Sequence, residues 1–195
     1  MGLLASVPYA VGKSYDFYDD RLEVEDSIMY YNDILGYAYL LTRVSNSVNF
    51  VPTHTTTKFT VYLDYGASKP FSFGRSSSAP LASKSSKQKT VELVYSEVVK
   101  LLGYFIAPLV YEKCIQVLND DGYIMIGKLE ISYDGLFKKT LMSKKSLPKD
   151  EYLGSDVLQG KVRVFSNDQK VFYSCSLSEM NAPLISPILN TIYSD

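Results

Sequence analysis

Tryptophan is missing from this 195-residue chain, histidine occurs once and cysteine twice. Each shortage closes off some chemistry. His54 has no second histidine and no nearby cysteine, whereas a zinc-type site needs three or four convergent donors, so no metal is expected. Cys114 and Cys175 are too few for a disulfide framework and sit among apolar neighbours, which reads as two reduced, buried thiols in a cytoplasmic protein. A net charge of -1 lacks the basic excess of a dedicated nucleic-acid binder, so no specific nucleic acid is expected. The longest apolar run, Leu101 to Tyr111, spans 11 residues with a Gly and a Pro inside it, too short to cross a bilayer.

Catalytic signatures are also missing. There is no Gly-rich phosphate loop, no nucleophile elbow and no HExxH helix, and the chain implies no cofactor. The carboxylates Asp16, Asp19, Asp20, Glu23, Glu25 and Asp26 crowd one short stretch. Glycosidase chemistry needs two carboxylates on separated elements facing a cleft, so this cluster reads as a solvated strand and turn. The expectation is a protein that is not an enzyme. The N-terminus lacks the charged region and apolar run of a secretory signal. Gly2 with Ser6 matches the N-myristoylation pattern, which has no meaning in a bacterium and would anchor only weakly elsewhere.

What the chain does have is a globular balance, 46% hydrophobic against 21% charged, and an aromatic set of 17 Tyr and 9 Phe. Tyrosine suits half-buried strand faces, where the ring packs and the hydroxyl reaches water. Tyr15 to Val24 alternates as a strand, with Tyr15, Phe17, Leu22 and Val24 inward. Ile34 to Val44 and the β-branched run Thr53 to Leu63 read as further strands, and Gly66 to Lys69 turns the second into Phe71-Ser72-Phe73. Gly74 to Thr90 carries Arg75, Lys84, Lys87 and Lys89 with no acid, and its composition predicts a mobile Ser/Lys loop. Val91, Val94, Tyr95, Val98, Leu101, Leu102 and Phe105 form one helical stripe; Pro108 breaks it, and Leu109 to Leu118 resumes. Ile124, Ile126, Leu129 and Ile131 suggest a strand. Leu136 to Lys139 with Ser143 to Leu147 read as a hairpin, and Lys161 to Phe165 with Lys170 to Cys175 as another. Asn181 to Tyr193 is a closing helix with Leu184, Ile188, Leu189 and Ile192 on one stripe.

The order of these elements repeats. Tyr18-Asp19-Asp20-Arg21-Leu22 corresponds to Tyr133-Asp134-Gly135-Leu136, and Asn32-Asp33 to Lys149-Asp150. Each half ends in a hairpin and then an amphipathic helix, the pattern of two copies of one unit. This succession resembles the bacterial pleckstrin-homology-like (PH-like) domain families, among them families of unassigned role in which two such units flank a helical linker. The likeness is carried by Gly127 to Leu136, the basic hairpin Lys138 to Lys145, Gly160-Lys161-Val162-Arg163-Val164, and Asn181-Ala182-Pro183-Leu184 before the terminal helix. It covers residues 123–193 well and 15–105 less well. Leu147-Pro148 departs from the Trp-acid step frequent in such families.

The resemblance implies an α+β protein of two PH-like units, each a strongly bent antiparallel sheet closed by a C-terminal helix. The expected division is a first unit at 13–106 containing the loop 74–90, a helical linker at 107–122 and a second unit at 123–195. It also implies non-catalytic work: binding a protein or peptide partner as a scaffold, along an exposed strand edge or in the groove beside the closing helix. The alternative is peripheral association with an anionic membrane surface. Lys138, Lys139, Lys144, Lys145 and Lys149 are the candidate phosphate-binding residues for it, since a headgroup phosphate needs several convergent donors. A second alternative is a small molecule held in a Tyr-lined cavity.

Overall fold

The computed structural model describes residues 2–49, 51–80, 86–139 and 144–193. The protein is α+β, built from antiparallel sheets and ending in a helix. It divides into two compact units, Met1–Leu35 with Tyr39–Pro108, and Gly36–Ala38 with Leu109–Asp195. No single helix among the described residues is long and apolar enough to cross a membrane.

In the first unit β1 (Leu3–Ala10), β2 (Lys13–Tyr18), β3 (Arg21–Val24) and β4 (Ser27–Tyr30) form a four-stranded meander in that order. A 3-10 turn at Tyr31–Asp33 leads to the three-stranded meander β5 (Gly36–Val48), β6 (Val51–Asp64) and β7 (Phe71–Pro80), followed by the helix α1 (Ser86–Phe105). The first three residues of β5 count with the second unit. Strand alternation buries Tyr15, Phe17, Leu22 and Val24, the positions expected from the spacing. The α1 stripe Val91, Val94, Val98 and Leu102 is buried as the helix packs on β1, β6 and β7. Aromatic rings fill the space between: Tyr15 lies 4.8 Å from Phe73, and Phe105 lies 5.9 Å from Phe17 and 5.8 Å from Tyr31.

Three expectations for this unit need correction. Tyr15 to Val24 is two strands, because Asp19-Asp20 makes a tight turn between β2 and β3. The unit begins before residue 13: β1 pairs with β2, and its sequence hides this because Val7 is its one fully buried position. The expected loop at 74–90 is strand as far as Pro80 and helix from Ser86. Serines there meet the β-branched threonines of β6, with Thr57 opposite Ser77 and the Thr56 and Ser78 hydroxyls 2.8 Å apart, so cross-strand pairing holds what composition alone would leave loose. Its basic residues are dispersed, Arg75 on β7 and Lys87 and Lys89 on α1; Lys84 falls in 81–85, outside the described residues.

The second unit contains α2 (Ala107–Asp121) from Leu109 onward, so most of the expected helical linker belongs to it. Val110, Cys114 and Leu118 are its buried face, and Gly122, in the left-handed region at φ 78, ends it. Next come β8 (Tyr123–Ile126), β9 (Leu129–Ser132), β10 (Gly135–Lys139) and β11 (Lys144–Pro148), again a four-stranded meander. The expected single strand through 124–131 is thus a hairpin turned at Gly127-Lys128. Ser143, placed in the next hairpin by its sequence, lies outside the described residues. A 3-10 turn at Lys149–Glu151 leads to the three-stranded β12 (Tyr152–Leu158), β13 (Lys161–Ser166) and β14 (Val171–Ser176). β12 has no strand signal of its own in the sequence. A 3-10 turn at Ala182–Leu184 and the helix α3 (Ile185–Tyr193) close the unit, with Ile185, Ile188, Leu189 and Tyr193 buried.

Both units therefore run four strands, a 3-10 turn, three strands and a helix. The correspondence extends to single residues. Leu22 stands opposite Phe17 and Met29, and Leu136 opposite Ile131 and Leu147, all six buried. The Tyr31 amide donates to the Asp20 carbonyl at 3.0 Å, and the Lys149 amide to the Asp134 carbonyl at 3.1 Å. The 3-10 turns Tyr31–Asp33 and Lys149–Glu151 are equivalent, but the residue matching Lys149 is Tyr31, so the expected pairing of Asn32-Asp33 with Lys149-Asp150 is one residue out.

Candidate functional site

Of the five candidate lysines, Lys138 and Lys144 are engaged with different partners. Lys138 stands opposite Lys145, and Lys139 opposite Lys144. Strand alternation sends Lys138 and Lys145 to one face of the sheet and Lys144 to the other. Lys138 shares the face of the buried Leu136 and Leu147 and turns inward at the rim. Its Nζ donates to the Phe172 carbonyl and lies 4.7 Å from the centre of the Phe172 ring. Burial lowers the affinity of that amine for its proton, and Lys145 opposite lowers it further. Lys144, on the other face, pairs with Glu130 at 3.0 Å and lies 4.4 Å from the centre of the Phe137 ring. Lys145 and Lys149 are exposed, with Lys149 in the 3-10 turn rather than on the hairpin. The Lys139 backbone lies in β10.

The other residues weighed from sequence are also placed. His54 is exposed near the start of β6, opposite Pro80. Among the described residues no group of three His, Cys, Asp or Glu side chains could hold a metal. Four residues of the carboxylate cluster are paired: Asp16 accepts from Ser6, Asp20 and Glu23 from Arg21, and Glu25 from Lys13 at 2.8 Å and Tyr9 at 2.9 Å. Cys114 and Cys175 are buried, and burial pushes each thiol up to about 11.

The built concavity lies in the first unit, beside β4. It is a cleft of about 660 Å³ lined by β4, by Asn32 to Leu35, and by Tyr65 and Phe71 at the two ends of the β6–β7 connection. The local sequence explains its walls. The two-residue turn Glu25-Asp26, with Glu25 at φ 52, folds β4 back on β3 in the register Val24–Ser27, Leu22–Met29. The 3-10 turn at Tyr31–Asp33 then swings the chain away, anchored by the Tyr31 hydroxyl on the Tyr18 carbonyl at 3.0 Å. The Leu35 amide donates to the Asp64 carbonyl at 2.7 Å, and the Gly66 amide to Asp64 Oδ1 at 3.0 Å, which brings Leu35 up to the start of the Tyr65 turn.

Met29 points inward, leaving Ile28 and Tyr30 on the outer side of β4, where they are 57% and 50% exposed; Leu35 and Tyr65 across the cleft are 50% and 43% exposed. β4 is the edge strand of its sheet. In an antiparallel ladder the pair flanking a two-residue turn is hydrogen-bonded and alternate pairs follow suit. That makes Val24–Ser27 and Leu22–Met29 the bonded pairs and turns the N–H and C=O of Ile28 and Tyr30 away from β3. Open backbone groups beside a cleft with apolar side chains in its wall are the requirements for binding an extended chain. Sequence reading missed this site. Its signal was the run Ile28-Met29-Tyr30, apolar on both faces of a strand that buries one.

No family model matches this chain, and no curated protein is significantly similar to it.

Proposed function

We propose that the chain is a non-catalytic binding protein made of two PH-like units, and that the first unit takes a protein or peptide partner as an added strand along β4. The succession of four strands, three strands and a helix in each unit supports the PH-like reading. One observation carries the binding role: a free edge strand whose outward backbone groups open beside a cleft walled by half-exposed Ile28, Tyr30, Leu35 and Tyr65.

Selection of displayed, unstructured peptides on the full chain tests this, run in parallel on Ile28→Pro. Proline removes an outward N–H without touching the β3–β4 ladder, so the variant should fold. The expected result is a set of peptides that bind the variant about tenfold or more weakly. Equal binding to both chains would defeat the reading, as would a selection that enriches nothing.

The second reading is peripheral association with anionic lipid, supported by the exposed Lys145 and Lys149. With Lys138 turned inward to Phe172 and Lys144 paired with Glu130 at the surface, it rests on fewer lysines than the hairpin contains. It predicts pelleting with anionic but not neutral vesicles, weakened by salt and lost in Lys145→Glu/Lys149→Glu. A small molecule would find its tyrosines, Tyr30 and Tyr65, in the same β4 cleft, and native mass spectrometry of the purified chain would show it.

A further inference from the structure

We infer that the occupant of the β4 edge is an extended segment of another protein with apolar residues at alternate positions and Lys or Arg at its flanks. This rests on the strand-addition reading and names the chemistry of the partner. Ile28 and Tyr30 are two residues apart, so their side chains stand on one side of β4 while each offers an N–H and a C=O along its edge. A guest strand bonded to those groups sets every second side chain on that same side, against Leu35, Tyr65 and Phe71. Apolar residues suit those positions.

The charge at the flanks is negative. Asp33 lines the cleft, Asp26 immediately precedes β4, and no Lys or Arg is among the lining residues. The cation on the neighbouring strand, Arg21, is committed to Asp20 at 3.0 Å and Glu23 at 2.7 Å, with its guanidinium 4.2 Å from the centre of the Tyr18 ring. A guest with basic ends meets Asp33 at one end of the strand and, at the other, Asp26 with Lys13 in its field.

The same carboxylates argue against a second copy of this chain as the occupant. Antiparallel self-pairing that matches Ile28 with Tyr30 brings Glu25 of one copy, its charge offset by Lys13 at 2.8 Å, toward Asp33 of the other, twice by symmetry, so self-pairing gains no complementary charge there. β11 is the corresponding edge strand of the second unit, but its residues differ. By the correspondence of Leu22 with Leu136 and Met29 with Leu147, the positions of Ile28 and Tyr30 are taken in β11 by Ser146 and Pro148, next to Lys144 and Lys145. Proline and lysine are the residues with which sheet edges are closed.

The test uses two blocked seven-residue peptides of alternating Val and Thr, one with Lys and one with Glu at both ends, titrated into the 15N-labelled full chain and its Asp33→Lys variant. The Lys-ended peptide should shift the amides of Ile28, Tyr30, Asn32 and Leu35 at concentrations about tenfold or more below the Glu-ended one, and Asp33→Lys should reverse that order. If both peptides act alike on these amides in both proteins, the charge inference falls while strand addition stands. If neither peptide moves them, both fall. Concentration-dependent shifts at β4 without peptide, with a doubled mass, would make the occupant a second copy and overturn the inference.

Discussion

Lys138 reaches across its sheet's rim to Phe172, donating to the backbone carbonyl while its ammonium lies over the same residue's ring. A lysine held twice by one residue is a structural element of the second unit, although it sits in a run that reads as a basic surface. Lys138→Met keeps the aliphatic stem and removes the charge. It should cost about 1–2 kcal/mol in urea unfolding, the scale of a charged hydrogen bond with a cation–π contact. Lys145→Met, on the exposed position opposite, should stay within about 0.5 kcal/mol of wild type. Equal effects at the two sites would refute the distinction.

Gly74 tests the strand that replaces the expected loop. A Cβ at this position would lie 2.1 Å from the Phe59 carbonyl oxygen, a backbone atom with little room to yield, and the Tyr15 hydroxyl also donates to the Gly74 carbonyl at 3.2 Å. Gly74→Ala should destabilise the first unit by about 1–3 kcal/mol, the range for forced overpacking. Gly103→Ala on the α1 exterior meets nothing within 4 Å and should be neutral or stabilising, since alanine is the better helix former. Thermal melts of the two variants give the comparison.

The repeat predicts matched core costs. Leu22→Ala and Leu136→Ala remove equivalent, fully buried side chains, each flanked by two buried cross-strand partners. Each should cost about 2–5 kcal/mol. Hydrogen exchange should show the loss confined mainly to strands of the mutated unit, and uniform loss across both units would refute their independence.

Two thiols should be silent in the folded chain. Burial pushes Cys114 and Cys175 from the ordinary 9.0 to about 11, so both are protonated at pH 8, and the reactive thiolate is suppressed. An aromatic disulfide reagent at pH 8 should label neither until urea unfolds the chain. Because folding raises these pKa values, their contribution to stability is complete below pH 9 and is lost as pH rises through about 11.

The β13–β14 turn should resist acid further than an ordinary aspartate allows. Asp168 accepts from Lys170 Nζ and Ser166 Oγ, both at 2.6 Å, and these bonds hold its carboxyl at about 2, below the usual 3.8. Folding lowers this pKa, so the support is complete above pH 3.8 and is lost as pH falls through about 2. The Lys170 amide shift should titrate with a midpoint near the lower value, and Asp168→Asn should abolish that titration.

Local pattern determined much of this molecule. Period-two burial chose Tyr15, Phe17, Leu22 and Val24 without help, and the 3.6-residue stripe chose Val91, Val94, Val98 and Leu102, because one-sided burial writes its period into the sequence. The doubled order of elements was legible for the same reason. Other features had no local trace. β7 reads as loop because serine has little strand propensity; only the threonines of β6, more than a dozen residues earlier, make it a strand. The lysines of the hairpin look like one cluster because sequence lists neighbours without their faces, and pairing across β10 and β11 put Lys138 and Lys144 on opposite sides. The β4 cleft joins Ile28 and Tyr30 to Tyr65 and Phe71, residues far apart in the chain. Which strand is left at an edge, and what comes to stand beside it, is a property of sheet order. That order is settled by long-range pairing and belongs to tertiary structure.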